Sequence, residues 1–198
     1  TLQILLGGAT ITQKLNAYVV KSHLLNALMF LSTLLWIRFR ALDQASGKPP
    51  HHFPSTGMSR YLPAVFLALV LVQFYMGGRV SANGAGLACP EFPACYSQNI
   101  ESGAGLIQER VFFPAMLGQI EKHMTHRFMA YVLIVSSLGM VLFASRAGFS
   151  PDQSRRTVWI LGALTLQVLI GVSNVLFRLP VPVTVMHSAV GIALYILA

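Results

Sequence analysis

Long apolar runs alternate with short polar stretches along this chain, and the runs have the length of a bilayer. Residues 18–37, 61–78, 124–144 and 157–177 are each about long enough to cross one, which takes roughly 20 helical residues. Two shorter apolar pieces flank them. Residues 1–12, "TLQILLGGATIT", read as the end of a span whose beginning is absent, and 183–198 as a span cut short. The pattern predicts an all-α membrane protein, a polytopic helical bundle with five to six helices present.

Composition agrees with this. The chain is 55% hydrophobic and only 10% charged, with a mean hydropathy of +0.63, whereas soluble domains carry about 25% charged residues. The formal charge of +8 raises the question of a nucleic-acid partner. The basic residues are scattered at predicted helix ends instead of clustered, as membrane-flanking Lys and Arg are, so the bilayer is the expected partner and nucleic acid is not. With no signal peptide and no initiator Met, the chain reads as an internal fragment of a longer membrane protein.

The two ends of the chain align without a gap. "LQILLGGATITQKLNAYVVKSH" (2–23) lies over "LQVLIGVSNVLFRLPVPVTVMH" (166–187), matching Gln3 with Gln167, Gly7 with Gly171, Lys14 with Arg178 and His23 with His187. Hydrophobicity alone does not match Gln, Gly and His, so the alignment points to a duplication, a common way to build membrane bundles. The second copy holds four helices and the first only its last two. This predicts residues 1–37 as the end of an N-terminal four-helix half, 38–60 as a cytoplasmic linker, and 61–198 as a C-terminal half with an outer loop over 79–123. The intact protein would have about eight spans.

Alternation of the spans sorts the loops into two sets, and basic residues divide evenly between them. Only the density of the short loops favours 38–60 and 145–156 as cytoplasmic. The two cysteines, Cys89 and Cys95, then fall on the outer side, in a Pro-rich loop, "GLACPEFPAC". Disulfides persist outside the cytosol. A disulfide is the default reading there, with a free redox pair or a soft-metal site as alternatives; the spacing is not that of a zinc site.

Six histidines remain to be explained. His51 and His52 sit in a polar, Pro-rich loop and read as solvated. His23, His126 and His187 lie close to the starts of predicted helices that enter from one side, and one turn onward stand Ala27, Ala130 and Gly191. Parallel helices put the imidazoles of His126 and His187 at similar depth, an arrangement suited to six-coordinate haem iron. Small residues beside a ligand leave room for a porphyrin. The competing reading is a set of interfacial histidines hydrogen-bonding between helices, which suits His123 best because the bulky Arg127 follows it by one turn. Arg127 can pair with a haem propionate; Arg79 can too, or serve as an interfacial anchor. The segment 96–122 is long for a loop, and "GLIQERVFFPAMLGQIEKH" within it is expected to form a short amphipathic helix, a lid over the bundle mouth.

With these residues in place, the chain resembles the haem A synthase family over nearly its whole length. The most specific part is "GGRVSANGAGLACPEFPAC" (77–95), followed by "HRFMA" (126–130), the His at the head of the last helix and the repeat. The resemblance implies two four-helix halves, each with a pair of haem-ligating histidines. Haem b then falls to His126 and His187, with Arg127 beside it. His23 matches one ligand of the substrate half, where haem O is oxidised at a ring methyl to haem A. Its partner, and an acidic residue of that half, would lie before Thr1. Cys89 and Cys95 match a structural disulfide of the C-terminal half. The implied setting is a bacterial plasma membrane, with the cysteine loop extracytoplasmic and with haem O synthase and terminal-oxidase assembly factors as partners. A bis-histidine b-type membrane cytochrome, transferring electrons without modifying haem, is the rival function. A paralogue binding one haem for assembly or sensing is a third.

Overall fold

The computed structural model describes residues 1–14, 16–47, 57–90, 92–93, 95 and 106–198, the side chains of Met58 and of 106–115 excepted. His51 and His52 lie outside the described residues. Six α-helices follow one another: α1 (Leu2–Thr12), α2 (Ala17–Ala45), α3 (Met58–Ala82), α4 (Leu106–Phe143), α5 (Pro151–Leu176) and α6 (Val181–Leu197). One 3-10 turn, Ala85–Leu87, lies between α3 and α4, and no strand occurs among the described residues. Four of the helices are long and apolar enough to span a membrane, within Ala17–Ala45, Ser59–Ala82, Met116–Phe143 and Pro151–Leu176; α1 and α6 are shorter apolar helices. The molecule is an all-α, multi-pass membrane protein.

Each of the four expected spans matches a helix; α4 and α5 stop one residue short of theirs, at Phe143 and Leu176, while α2, α3 and the leading part of α4 overrun the apolar runs. α2 continues through "RFRALDQA" to Ala45 and stops where Gly47 takes a left-handed φ of 62°. α4 starts at Leu106, so the separate short helix expected within 96–122 is the leading part of α4 itself. Polar residues such as Gln119, Glu121 and Lys122 end a hydrophobic run, yet they are good helix formers. The backbone therefore continues where hydropathy stops. As a result His126 stands deep within its helix, while His23 and His187 are indeed near the starts of theirs.

Local chemistry sets the remaining ends. The Asn16 side chain accepts from the Tyr18 amide at 2.9 Å to open α2. Ser150 and Gln153 form a reciprocal capping box before α5, with Pro151 as its first residue. The α1–α2 and α5–α6 turns each carry a left-handed residue at the aligned position, Lys14 at φ 50° and Arg178 at φ 58°. L-residues rarely adopt that conformation, so its recurrence makes the two turns copies in backbone as well as in sequence.

Consecutive helices pack against one another, and α6 closes back onto α3 and α2. The Tyr195 ring meets Phe74 edge-on at 5.9 Å between centroids, and its hydroxyl bonds to Ser32 of α2. Leu28, Phe66, Val70, Leu133, Met140, Ile160, Leu164, Leu194 and Tyr195 form the buried core, contributed by α2 to α6. In lipid such a core is held by close packing and interhelical hydrogen bonds, since leucine gains nothing by leaving hydrocarbon. The same reasoning makes exposed Ile4, Met29, Phe128 and Trp159 ordinary lipid-facing residues. The core occupies one end of the bundle; the disulfide loop caps the other.

Candidate functional site

Between the apolar core and the disulfide end lies a band of imidazoles and amides. His23, His126 and His187 stand on the even-numbered helices, and each ring rests on a glycine of the helix before it. A Cβ added to Gly7 would lie 3.3 Å from His23 Cε1, one on Gly77 3.2 Å from His126 Cε1, and one on Gly171 3.1 Å from His187 Cε1. These distances are too short for an ordinary contact, so only glycine lets the rings sit there undisturbed. Four residues before each glycine, on the same helical face, is a glutamine: Gln3, Gln73 and Gln167. Gln3 Nε2 is 3.4 Å from His23 Nε2, and Gln167 Nε2 is 3.3 Å from His187 Nε2. Gln167 Nε2 also donates to the His187 carbonyl at 2.9 Å, as Gln73 Nε2 does to the His126 carbonyl at 3.3 Å.

Q-x₃-G thus occurs three times, and each copy cradles one histidine. The alignment of the chain ends had paired two copies without revealing what they touch. It left "QFYMG" (73–77) unmatched, although the three-fold recurrence of Q-x₃-G is the signal that would have found Gln73 and Gly77.

His126 and His187 stand on α4 and α6, which both run away from the disulfide end. The Nδ1 atoms of His23, His123, His126 and His187 are buried with no hydrogen-bond partner among the described residues. An orphaned polar atom in an apolar setting is costly, so hydrogen bonds between helices leave one nitrogen of each ring unaccounted for. Buried imidazoles on parallel helices are a donor set haem iron takes, and the residues present fit that group. The small residue after His187 has another explanation, however. A Cβ on Gly191 would meet the Gln167 amide at 3.2 Å and the Phe74 ring at 3.6 Å, so Gly191 makes room for α5 and α3 and not for a porphyrin edge.

The outer loop is gripped by the turns of α4 just beyond His126. Cys89 and Cys95 are joined in a disulfide, and Cys89 is fully buried. Arg127, itself 7% exposed, donates from Nη2 to the Cys89 carbonyl at 2.6 Å and from Nη1 to the Pro93 carbonyl at 3.4 Å, and lies over the Phe92 ring. One helical turn earlier, His123 meets the backbone of the fully buried Ala85. Two side chains four residues apart on α4 thus hold two loop residues four apart. Arg79 is engaged by Glu121 at 3.5 Å.

On its other side the 3-10 turn is wedged against the α5–α6 turn: a Cβ on Gly86 would lie 2.9 Å from Leu179 Cδ1. The end of the Leu179 side chain, 39% exposed, can shift to meet a single Cβ, but the two γ-methyls of a valine ask more of it. Gly86→Val should therefore lift the loop and destabilise the fold by about 1–3 kcal/mol, the usual cost of overpacking. A thermal unfolding midpoint equal to that of the unaltered protein would count against the wedge.

The whole chain, residues 1–198, matches the sequence profile of the COX15-CtaA family, described as cytochrome oxidase assembly protein. The chain belongs to this family. Among individual proteins it is similar to the haem A synthase of Shewanella oneidensis, at 31% identity over 97% of this chain and 59% of that protein. It is also similar to the haem A synthases of Rhodopseudomonas palustris strain HaA2 (30% identity, 89% of this chain, 47% of that protein) and Rhizobium johnstonii (27%, 95% and 50%). The chain spans about half the length of the curated relatives it matches.

Proposed function

We propose that the chain forms the greater part of a haem A synthase, an oxidoreductase that converts a ring methyl of haem O into the formyl group of haem A. The observation that carries this reading is the three-fold Gln–Gly–His cradle. One copy, at His23, repeats the geometry of His187 in the N-terminal helix pair, which supports a second haem site beside the one we infer between α4 and α6. A cytochrome that only relays electrons through His126 and His187 has no need of it.

In this reading His126 and His187 hold the iron of a resident haem b, and His23 holds the iron of haem O together with a histidine encoded before Thr1. Bound haem supplies the redox chemistry, which no side chain here can supply. The work of the chain is placement. Gly77 and Gly171 allow the imidazoles to seat, and Gln73 and Gln167 fix the helix turns that carry them. The apolar walls below exclude water. Arg127 keeps the disulfide loop over the site, and with five N–H donors its guanidinium can hold two carbonyls and one haem propionate together. The domain division at 1–37, 38–60 and 61–198, the extracytoplasmic position of the loop, the bacterial plasma membrane, and haem O synthase and oxidase assembly factors as partners all belong to the same proposal.

Haem extraction and identification after expression of the complete reading frame tests it. Haem B together with haem O or haem A is the expected content. Haem B alone would support the cytochrome and sink the enzyme; no haem in folded protein would remove both.

A further inference from the structure

At the end of the bundle away from the disulfide loop, an open groove of about 280 Å³ runs between α3 and α4. Its α3 wall is the stripe i, i+3, i+4 and i+7 from Leu62, and its α4 wall is the same stripe from Ser136. Phe66 is buried at its floor, while Val65 and Phe143 are exposed at its rim. Ser136, the one polar side chain among the described lining residues, turns its hydroxyl back onto the Val132 carbonyl at 2.7 Å. Gly139 opens the groove. A Cβ there would meet nothing within 4 Å, in contrast to the glycines that seat the histidines. Water needs two to four polar partners and finds none on these walls, and an empty apolar void forfeits dispersion contacts. Hydrocarbon is what such a groove takes in a bilayer.

We propose that this groove binds an anionic phospholipid, with one acyl chain lying along Gly139 and the headgroup phosphate held by Arg146. From Ser136 to Phe143 the groove follows two turns of α4, about 10 Å, or roughly a third of the hydrocarbon thickness of a bilayer. Phe143 ends both α4 and its apolar span, so a chain entering from the membrane surface fills the groove without crossing the midplane. Arg146 follows three residues later, with its guanidinium 5.6 Å from the centre of the Phe143 ring. Stacking of this kind fixes the guanidinium plane and leaves its N–H groups free, and arginine grips phosphate through two parallel hydrogen bonds. No ion pair engages Arg146 among the described residues. Arg60, exposed in the first turn of α3, adds a second positive charge at this end. That charge favours a net negative headgroup over a zwitterionic one. The site is separate from the histidine band and does not depend on its reading.

The test takes protein from the complete reading frame, stripped of lipid in detergent. It is titrated with phosphatidylglycerol or phosphatidylcholine of identical acyl chains, and native mass spectrometry counts the lipid bound. Phosphatidylglycerol should bind the more tightly. Arg146→Gln should weaken it about tenfold, the factor that one hydrogen bond to a charged group confers, and should erase the preference between the two lipids. Gly139→Leu should weaken both lipids, because leucine takes the place of the chain. Gly162→Leu should weaken neither, since on α5 a Cβ also meets nothing within 4 Å but lies outside the groove. Leucine is a better helix former than glycine, so the thermal unfolding midpoint of Gly139→Leu should not fall. If it does fall, the exposed Arg146→Gln decides alone. Equal affinity for the two lipids in the unaltered protein, or unaltered phosphatidylglycerol binding in Arg146→Gln, overturns the site.

Discussion

Gly171→Leu should remove haem B from the protein about as effectively as His187→Ala, although glycine offers iron nothing. The His187 ring lies against Gly171 so closely that even a Cβ would stand 3.1 Å from Cε1. Leucine adds three further carbons at that point, and the ring must rotate or α6 must move. Either change would displace the imidazole that we propose would hold the haem iron. Groups that only orient a metal ligand cost roughly 10–100-fold in affinity when altered; loss of the seat itself should reach the upper end of that range. Gly77→Leu should act alike through His126, where the corresponding distance is 3.2 Å. Gly162 is the control, because a Cβ there meets nothing within 4 Å on the same helix as Gly171. Gly162→Leu should keep its haem. The haem-to-protein ratio from a pyridine haemochrome spectrum reads all four variants, and full haem B content in Gly171→Leu would show that the glycine seat does not govern His187.

The glycine contacts also mark where the sequence stops being legible. The spans 18–37, 61–78, 124–144 and 157–177 could be read because a bilayer demands an uninterrupted apolar run. The start of α4 could not, since "GQIEKH" satisfies a helical backbone as well as an apolar stretch does. His23 and His187 were found together because the duplication preserved them in register. His126 was singled out in the sequence, but its glutamine and glycine lay outside the aligned segment. A contact made by the absence of a side chain leaves little trace in a hydrophobic pattern. The roles of His123 and Arg127 were hidden for a related reason: their partners are backbone atoms of Ala85, Cys89 and Pro93, and a carbonyl has no residue type by which a sequence could announce it.

Arg127 therefore supplies the second large effect. In Arg127→Met the side chain keeps much of its apolar stem and loses every donor, leaving the Cys89 carbonyl, now paired at 2.6 Å, without its partner in a buried setting. An unsatisfied buried group of this kind costs about 1–3 kcal/mol. Since 1.4 kcal/mol is a factor of ten, opening of the loop should become roughly 10–100-fold more frequent. Hydrogen–deuterium exchange over residues 84–90 reads that opening directly. Exchange in α5, remote from the clasp and closed by its own capping box, should stay at its original rate. Arg127→Lys should fall between, because one ammonium can meet the Cys89 carbonyl but lacks the planar fork that also reaches Pro93. Haem content distinguishes the two tasks assigned to this residue. If Arg127 serves only as the clasp, haem B is retained by Arg127→Lys in proportion to the loop protection it restores. If it also binds a propionate, haem B falls further than loop protection does, since two contacts are then lost where exchange reports one. Unchanged exchange in Arg127→Met would mean that the disulfide and the Gly86–Leu179 wedge hold the loop unaided, and Arg127 would be left with the propionate alone.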